Sequence, residues 1–142
     1  MRQLLYKIWY WLKCGFLKDD FAINGWLQEE HLEIQKYIIE MLAPQKQDEI
    51  LELGCGTGLH LRNFSSLCRE IVGIDHLGAM IEKAKNNNLG KSNVALIHSK
   101  TKRKLPFADD RFDKVFSWSV FQYFANRKEA ENLLKELYRI TK

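Results

Sequence analysis

Short apolar runs alternate with longer amphipathic stretches between residues 49 and 140. The apolar runs predict four strands, at Glu49–Leu53, Ile71–Asp75, Val94–His98 and Phe112–Trp118. The amphipathic stretches predict helices over Leu59–Leu67, Ala79–Asn87 and Asn126–Ile140, and another over Leu27–Leu42 that ends before Pro44. Strands that alternate with helices indicate an α/β fold with a doubly wound parallel sheet and right-handed crossovers.

Local signals refine three of these helices. Asn126, three residues before Glu129, predicts a capping box at the start of the last helix. The buried stripe predicted for that helix consists of Leu133, Leu134, Leu137 and Ile140. Gly90 is placed to end the helix over Ala79–Asn87. His31 lies on the apolar face of the first helix, where we expect a half-buried structural histidine rather than a catalytic one.

The first strand stops at three glycines on alternate positions, Gly54, Gly56 and Gly58. Glycine permits positive φ there and lets a ligand approach bare backbone, and the following helix start offers amide hydrogens to polar or anionic groups. Asp75 ends the next strand, at about the twenty-residue spacing at which an acidic side chain meets a ribose. A dinucleotide fingerprint would place a third glycine at position 59, which is Leu59, and this disfavours a nicotinamide-dependent oxidoreductase.

The run Glu52-x-Gly54-x-Gly56-x-Gly58 resembles the cofactor loop of class I S-adenosylmethionine-dependent methyltransferases. The run from Asp75 to Met80 resembles their ribose-binding turn. Leu105-Pro106-Phe107, followed by Phe112-Asp113, resembles the segment typical of the family's small-molecule branch. The resemblance covers roughly residues 48 to 142. It implies a Rossmann-like cofactor domain over residues 45–142, preceded by an N-terminal helical segment over 1–44 that serves as a lid or an interfacial segment.

The resemblance also implies roles for particular residues in binding S-adenosylmethionine. The three glycines, with the small Cys55 between them, would form a floor free of side chains. Glu52 would orient the loop or meet the cofactor's amino group, and Asp75 would accept from both ribose hydroxyls. The remaining predicted cofactor-binding residues are His76 and Met80 at the adenine, Thr101 near the adenine amino group, and Ser117 at the methionine portion. No catalytic residue and no metal site is assigned.

One departure from the family concerns the adenine. Lys100 stands where relatives of this branch usually have an aspartate that accepts from the adenine amino group. A lysine ammonium has no acceptor lone pair, so the hydroxyl of Ser99 or Thr101 would have to replace it.

The resemblance implies three further strands in a complete domain. The expected strand order, third-second-first-fourth, leaves the fourth strand as an apolar edge with Phe112, Val115, Phe116 and Trp118. We therefore expect either the N-terminal part of a longer enzyme or an oligomer in which another chain completes the sheet.

Composition and charge set the remaining expectations. A chain of 142 residues with three cysteines in no paired or metal-type spacing fits one domain in a reducing cytoplasm. Residues 1–18 carry four basic and no acidic side chains among many aromatic ones, which suggests either a peripheral membrane contact or a helix that covers the cofactor cleft. Because the net charge of +4 is modest, nucleic acid is not expected as a partner.

The leading hypothesis is a methyltransferase that acts on a small-molecule acceptor, with Gln122 and Tyr123 as candidates to line the acceptor pocket. The alternatives are a non-catalytic member of the family that binds the cofactor or a partner chain, and an NAD-dependent oxidoreductase.

Overall fold

The computed structural model describes residues 28–100 and 104–142. Its helices are α1 (Gln28–Leu42), α2 (Leu59–Phe64), α3 (Gly78–Asn87) and α4 (Arg127–Ile140), with a short 3₁₀ helix at Phe121–Tyr123. Its strands are β1 (Glu49–Leu53), β2 (Glu70–Asp75), β3 (Val94–His98) and β4 (Lys114–Ser117). The four strands are parallel and lie in the order β3-β2-β1-β4, so the predicted fold class and strand order are confirmed. Residues 1–18 and Thr101 lie outside the described residues, and the predictions made for them stay predictions.

The alternation of side chains along the strands divides the core into two layers. Ile50 and Ile71 pack on one face of the sheet, with Leu61 and Phe64 of α2 and Ile38 of α1. On the opposite face, Leu51, Leu53, Val72 and Ile74 pack against Phe112 and against Leu133 and Ile140 of α4. Because successive residues of a strand point to opposite faces, a continuous apolar run is what a strand covered on both faces requires.

The last helix begins as predicted, and its buried stripe is narrower than predicted. The side chain of Asn126 accepts a hydrogen bond from the backbone N–H of Glu129, at 3.0 Å. Leu133 and Ile140 are buried, whereas Leu134 is 53% exposed. Leu134 lies one residue, about 100° of helix rotation, past Leu133, and this places it outside the stripe that faces the sheet.

The fourth strand is an edge of the sheet, but its apolar residues are less exposed than expected. Phe112 precedes the strand and is fully buried. Its backbone N–H donates to Ile140 O, and its carbonyl accepts from Lys142 N–H, both at 2.9 Å. The chain that leaves α4 thus runs parallel to the segment before β4, with a bridge between Phe112 and Thr141.

Charged side chains cluster where the strands begin, at the end of the sheet opposite the glycine turn. Arg111 pairs with Glu49 and Glu70, at 2.7 and 2.6 Å. The Asp113 carboxylate accepts from the Glu49 backbone N–H at 2.9 Å and from Lys142 at 2.8 Å. These contacts tie the beginnings of β1, β2 and β4 together.

Among the described residues, no helix combines the length and the apolar character that crossing a membrane requires.

Gly58 should be far less tolerant of a side chain than Gly90, although both have positive φ (75° and 79°). A Cβ on Gly58 would lie 2.6 Å from Asn88 Nδ2 and 3.1 Å from Ala84 Cβ, whereas a Cβ on Gly90 would meet nothing within 4 Å. We expect Gly90→Ala to cost about 1–2 kcal/mol through the backbone conformation alone. Gly58→Ala should cost about 1–3 kcal/mol more because of the overpacking.

Urea denaturation of both variants measures this difference, with Gly90→Ala as the matched control. Equal losses of unfolding free energy would show that the contact between α2 and α3 does not constrain Gly58.

Candidate cofactor site

A cavity lies at the carboxyl end of the sheet, where the chain order of the strands reverses. From β1 the chain passes to β2 on one side, and β4 later joins β1 on the other. In open α/β sheets, ligands bind in the crevice at such a switch point. The cavity is lined by the end of β1 and the glycine turn, by the end of β2 and the start of α3, and by residues 118–120 after β4.

The glycine turn is held by the neighbouring strand. Gly54 N–H and Cys55 N–H both donate to Ile74 O, at 2.7 and 3.2 Å. Gly54 and Gly56 have positive φ, 74° and 55°, which favours glycine at both positions. A Cβ on Gly54 would collide with Val120 Cγ2, so the turn also needs glycine for its packing against the segment after β4.

The Asp75 carboxylate links this turn to the start of α3. Its Oδ2 accepts from Gly56 N–H at 3.0 Å, and its Oδ1 accepts from Leu77 N–H at 2.8 Å. An ionised carboxylate has about four lone-pair sites, so two hydrogen bonds leave it able to accept from a ligand. Asp75 is buried and lines the cavity, which is where the sequence places a ribose acceptor.

Glu52 and His60 form a buried pair beneath the cavity. Glu52 Oε1 lies 2.7 Å from His60 Nδ1, and the two side chains are only 3% and 10% exposed. When Glu52 is ionised, its carboxylate can only accept a hydrogen bond, and His60 Nδ1 is then the donor. Burial raises the pKa of Glu52, although the neighbouring His60 acts in the opposite direction. Among the described residues, neither Glu52 Oε2 nor His60 Nε2 has a hydrogen-bond partner.

His31 of α1 stacks on one face of the His60 ring. The two ring centroids lie 4.7 Å apart, with the planes inclined by 12°. Burial, and next the neighbouring His60, lower the pKa of His31 from 6.5 to about 4. A neutral His31 can stack on His60 without repulsion between like charges. His31 is buried rather than half-buried as expected, and it also contributes to the cavity wall, so its purely structural role stays a prediction.

Most of the predicted cofactor residues come together in this cavity. The predicted residues that line it are Glu52, Gly54, Cys55, Gly56, Asp75, His76 and Met80. Ser99 lines it too, so of the two hydroxyls proposed to replace the missing aspartate it is the one that the structure places at the cavity. Lys100 is exposed.

Two predicted residues lie elsewhere. Ser117 does not line the cavity, because its hydroxyl turns back to donate to Leu53 O across the sheet, at 3.1 Å. Gly58 does not line it either, since it is packed against α3, where Asn88 Nδ2 donates to its carbonyl oxygen at 3.2 Å. Gly58 thus serves the contact between two helices rather than the floor of the site.

Cys55 is a packing residue within the turn. It is buried, and a Cβ on Gly73 would lie 2.9 Å from its Sγ, so the thiol packs against β2. Burial, and next the nearby Asp75 carboxylate, raise the pKa of the Cys55 thiol well above its usual value. A thiol in this environment stays protonated, which argues against a nucleophilic role.

Sequence reasoning missed His60, together with Leu105, Leu133 and the segment Trp118–Val120. His60 is the second residue of α2 and directly follows Leu59. Its only sequence signal is its place eight residues after Glu52, and that separation becomes a contact only because the glycine turn reverses the chain. The cavity residues after β4 belong to a segment with no regular pattern.

A family model described as a methyltransferase domain matches residues 50–142. The chain belongs to this methyltransferase domain family. Membership confirms the resemblance seen in the sequence and the S-adenosylmethionine cofactor that it implied.

Two curated relatives modify RNA according to their names. The chain is 28% identical over 114 residues to a 23S rRNA (uracil(1939)-C(5))-methyltransferase of Vibrio vulnificus. It is 29% identical over 102 residues to the human probable tRNA methyltransferase 9B. The matches cover 75% and 71% of this chain but only 26% and 21% of those proteins. The chain thus spans about a quarter of their length, and the expectation that excluded nucleic acid finds no support here.

Among solved structures, the fold matches a phosphoethanolamine N-methyltransferase of Haemonchus contortus, solved with phosphoethanolamine and S-adenosylhomocysteine. The TM-score is 0.85 at 17% identity, over 99% of this chain and 30% of that one. At this identity the match establishes the fold alone.

The residues present fit an S-adenosylmethionine molecule. Glu52 Oε2 is a buried carboxylate oxygen with no partner among the described residues, which suits a cationic amino group. The backbone of Gly54 and Gly56, which lines the cavity, and the acceptor capacity of Asp75 suit a flat nucleoside with vicinal hydroxyls.

The histidine stack predicts a stability change in mild acid. Because folding lowers the pKa of His31 from 6.5 to about 4, the unfolded chain binds more protons between these pH values. The wild-type protein should therefore lose stability as the pH falls from about 6.5 to about 4. The loss from His31 should be on the order of 1–3 kcal/mol, since each pKa unit corresponds to about 1.4 kcal/mol.

Chemical denaturation at several pH values tests this, with His31→Phe as the matched control that keeps a stacked ring without a titrating group. The gap between wild type and variant should change by that amount across this window. A constant gap would contradict the assignment.

Proposed function

We propose that the protein transfers the methyl group of S-adenosylmethionine to an acceptor, and that the acceptor is a small molecule. The observation that carries the proposal is the pair of buried carboxylates at the glycine turn. Glu52 lies beneath the turn, and one of its carboxylate oxygens has no partner among the described residues. Asp75 accepts a hydrogen bond from Gly56 N–H within the turn. The two acids match the cationic and the hydroxylated parts of the cofactor.

The residues of the chain would mainly bind and orient. Glu52 would meet the amino group, Asp75 the ribose hydroxyls, and His76 and Met80 the adenine. When bound, the cofactor supplies a methyl group already activated on a sulfonium, so the protein has to position the acceptor and exclude water rather than provide a catalytic triad.

The acceptor would enter past the end of β4. Tyr123 lines the cavity together with Ser119, Val120 and Phe124, which makes this segment the candidate acceptor wall. Gln122, the other sequence candidate, is exposed, and its amide donates to Ser119 Oγ at 2.9 Å. We therefore retain Tyr123 and not Gln122 as an acceptor-pocket residue.

RNA is the second candidate acceptor, favoured by the names of the two curated relatives. The small-molecule assignment rests on the segment at Leu105–Phe107, where Leu105 is buried and lines the cavity. A membrane contact through residues 1–18 and a partner chain at the edge of β4 remain further proposals of the sequence.

Transfer of labelled methyl groups distinguishes these acceptors. The protein is incubated with methyl-labelled S-adenosylmethionine and a cell extract, which is then separated into small-molecule, RNA and protein fractions. We expect the label in the small-molecule fraction, resistant to ribonuclease. Label that ribonuclease releases from the RNA fraction would favour the second acceptor, and cofactor binding without any transfer would indicate a non-catalytic member.

Replacement of Asp75 should weaken cofactor binding. A hydrogen bond to a charged acceptor contributes about 1.5–3 kcal/mol, so Asp75→Ala should lower the affinity for S-adenosylhomocysteine about 10- to 100-fold by calorimetry. Asp113→Ala is the matched control, because Asp113 also accepts from a backbone N–H but lies at the opposite end of the strands. The control should lose stability and keep its affinity. An equal loss of affinity in both variants would argue against a ribose contact.

A further inference from the structure

We propose that His60 is the positioning residue of the cofactor's amino-acid end. By donating from Nδ1 to one oxygen of Glu52, it fixes the carboxylate so that the other oxygen is presented to the cationic amino group. This inference rests on the proposed function and adds a residue to it.

The first support is the way in which Glu52 is held. Its side chain is 97% buried, since only 3% is exposed. Among the described residues, its one hydrogen bond to another side chain is that with His60, at 2.7 Å. A buried carboxylate without a donor would take up a proton, because burial disfavours the charged form. The hydrogen bond with His60 works against this effect, although burial still raises the pKa of Glu52 overall. An ammonium group close to Glu52 would favour the ionised form further.

The second support is that the two carboxylate oxygens of Glu52 have different surroundings. Oε1 is occupied by His60, whereas Oε2 is buried, has no partner among the described residues, and belongs to a residue that lines the cavity. An unsatisfied buried acceptor is costly unless a ligand satisfies it. Since Asp75 already has two backbone donors, Glu52 is the carboxylate prepared for a cation.

The third support is the orientation of the imidazole itself. His60 is held between α2, which carries it, and the stacked ring of His31 on α1. Phe116 of β4 lies against another side of the imidazole, and its ring centroid is 6.1 Å from that of His60. With its ring clamped in this way, His60 presents Nδ1 to Glu52 in one geometry, so little order has to be gained when the cofactor binds.

Two variants separate the hydrogen bond from the packing. His60→Asn keeps an N–H donor close to the position of Nδ1 and loses the ring. His60→Phe keeps the ring that stacks on His31 and loses the donor. Glu52→Gln removes the charge and keeps the shape.

Two ligands separate the amino-acid end from the nucleoside. S-adenosylhomocysteine carries the amino group, whereas 5′-methylthioadenosine has the same nucleoside and no amino acid. Calorimetric affinities for both ligands are measured with the full chain, these three variants and the double variant that combines His60→Phe with Glu52→Gln. Binding of 5′-methylthioadenosine also shows that each variant is folded.

We expect His60→Phe and Glu52→Gln each to weaken binding of S-adenosylhomocysteine about tenfold, with binding of 5′-methylthioadenosine unchanged within about twofold. His60→Asn should retain most of the wild-type affinity for S-adenosylhomocysteine, and the variant that combines His60→Phe with Glu52→Gln should be no weaker than either alone.

The opposite pattern, with His60→Phe binding like wild type and His60→Asn weakened, would overturn the inference and make His60 a packing residue. Equal weakening of both ligands in every variant would overturn it too, while the proposed function would stand. If the wild-type protein bound neither nucleoside, the proposed function would fall and this inference with it.

Discussion

The structure depends on how the chain turns at the end of its first strand. The turn brings three backbone N–H groups onto the end of β2: those of Gly54 and Cys55 donate to Ile74 O, and that of Gly56 donates to the Asp75 carboxylate. Positive φ at Gly54 and Gly56 makes this path possible. The same hydrogen bonds that satisfy the backbone also leave its outer surface free of side chains, so that a ligand can lie against it.

A second consequence of the turn is electrostatic. It places α2 so that His60 meets Glu52, and it places Asp75 on the other side of the bend. Two carboxylates thus line one cavity, and Asp75 adds to the raised pKa of Glu52. Each has its own hydrogen-bond partners, a histidine ring for Glu52 and two backbone N–H groups for Asp75. The site therefore has an acceptor at each side before any ligand arrives, and this is the physical basis for assigning it a cationic, hydroxylated nucleoside.

The packing around the site also explains why similar residues serve different purposes. Gly54 and Gly58 both have positive φ. The absence of a side chain at Gly54 leaves room for Val120 after β4, whereas at Gly58 it leaves room for Ala84 of α3 and for Asn88, which follows that helix. Ser117 ends a strand at the edge of the cavity, yet its hydroxyl satisfies Leu53 O instead of a ligand. A motif residue is thus a ligand residue only if the packing leaves it facing the cavity.

The order and type of the elements follow from the sequence alone, because period-two and period-3.6 apolar patterns each suit one kind of element. The strand order and the glycine turn with Asp75 also follow from it, through the family that these motifs resemble. Three features become visible only in the folded chain: the exposure of Leu134, the helix-packing role of Gly58, and the stack of His31 on His60 beside Glu52. Those features depend on contacts between segments far apart in the chain. A local sequence pattern does not show which of these distant side chains will be in contact.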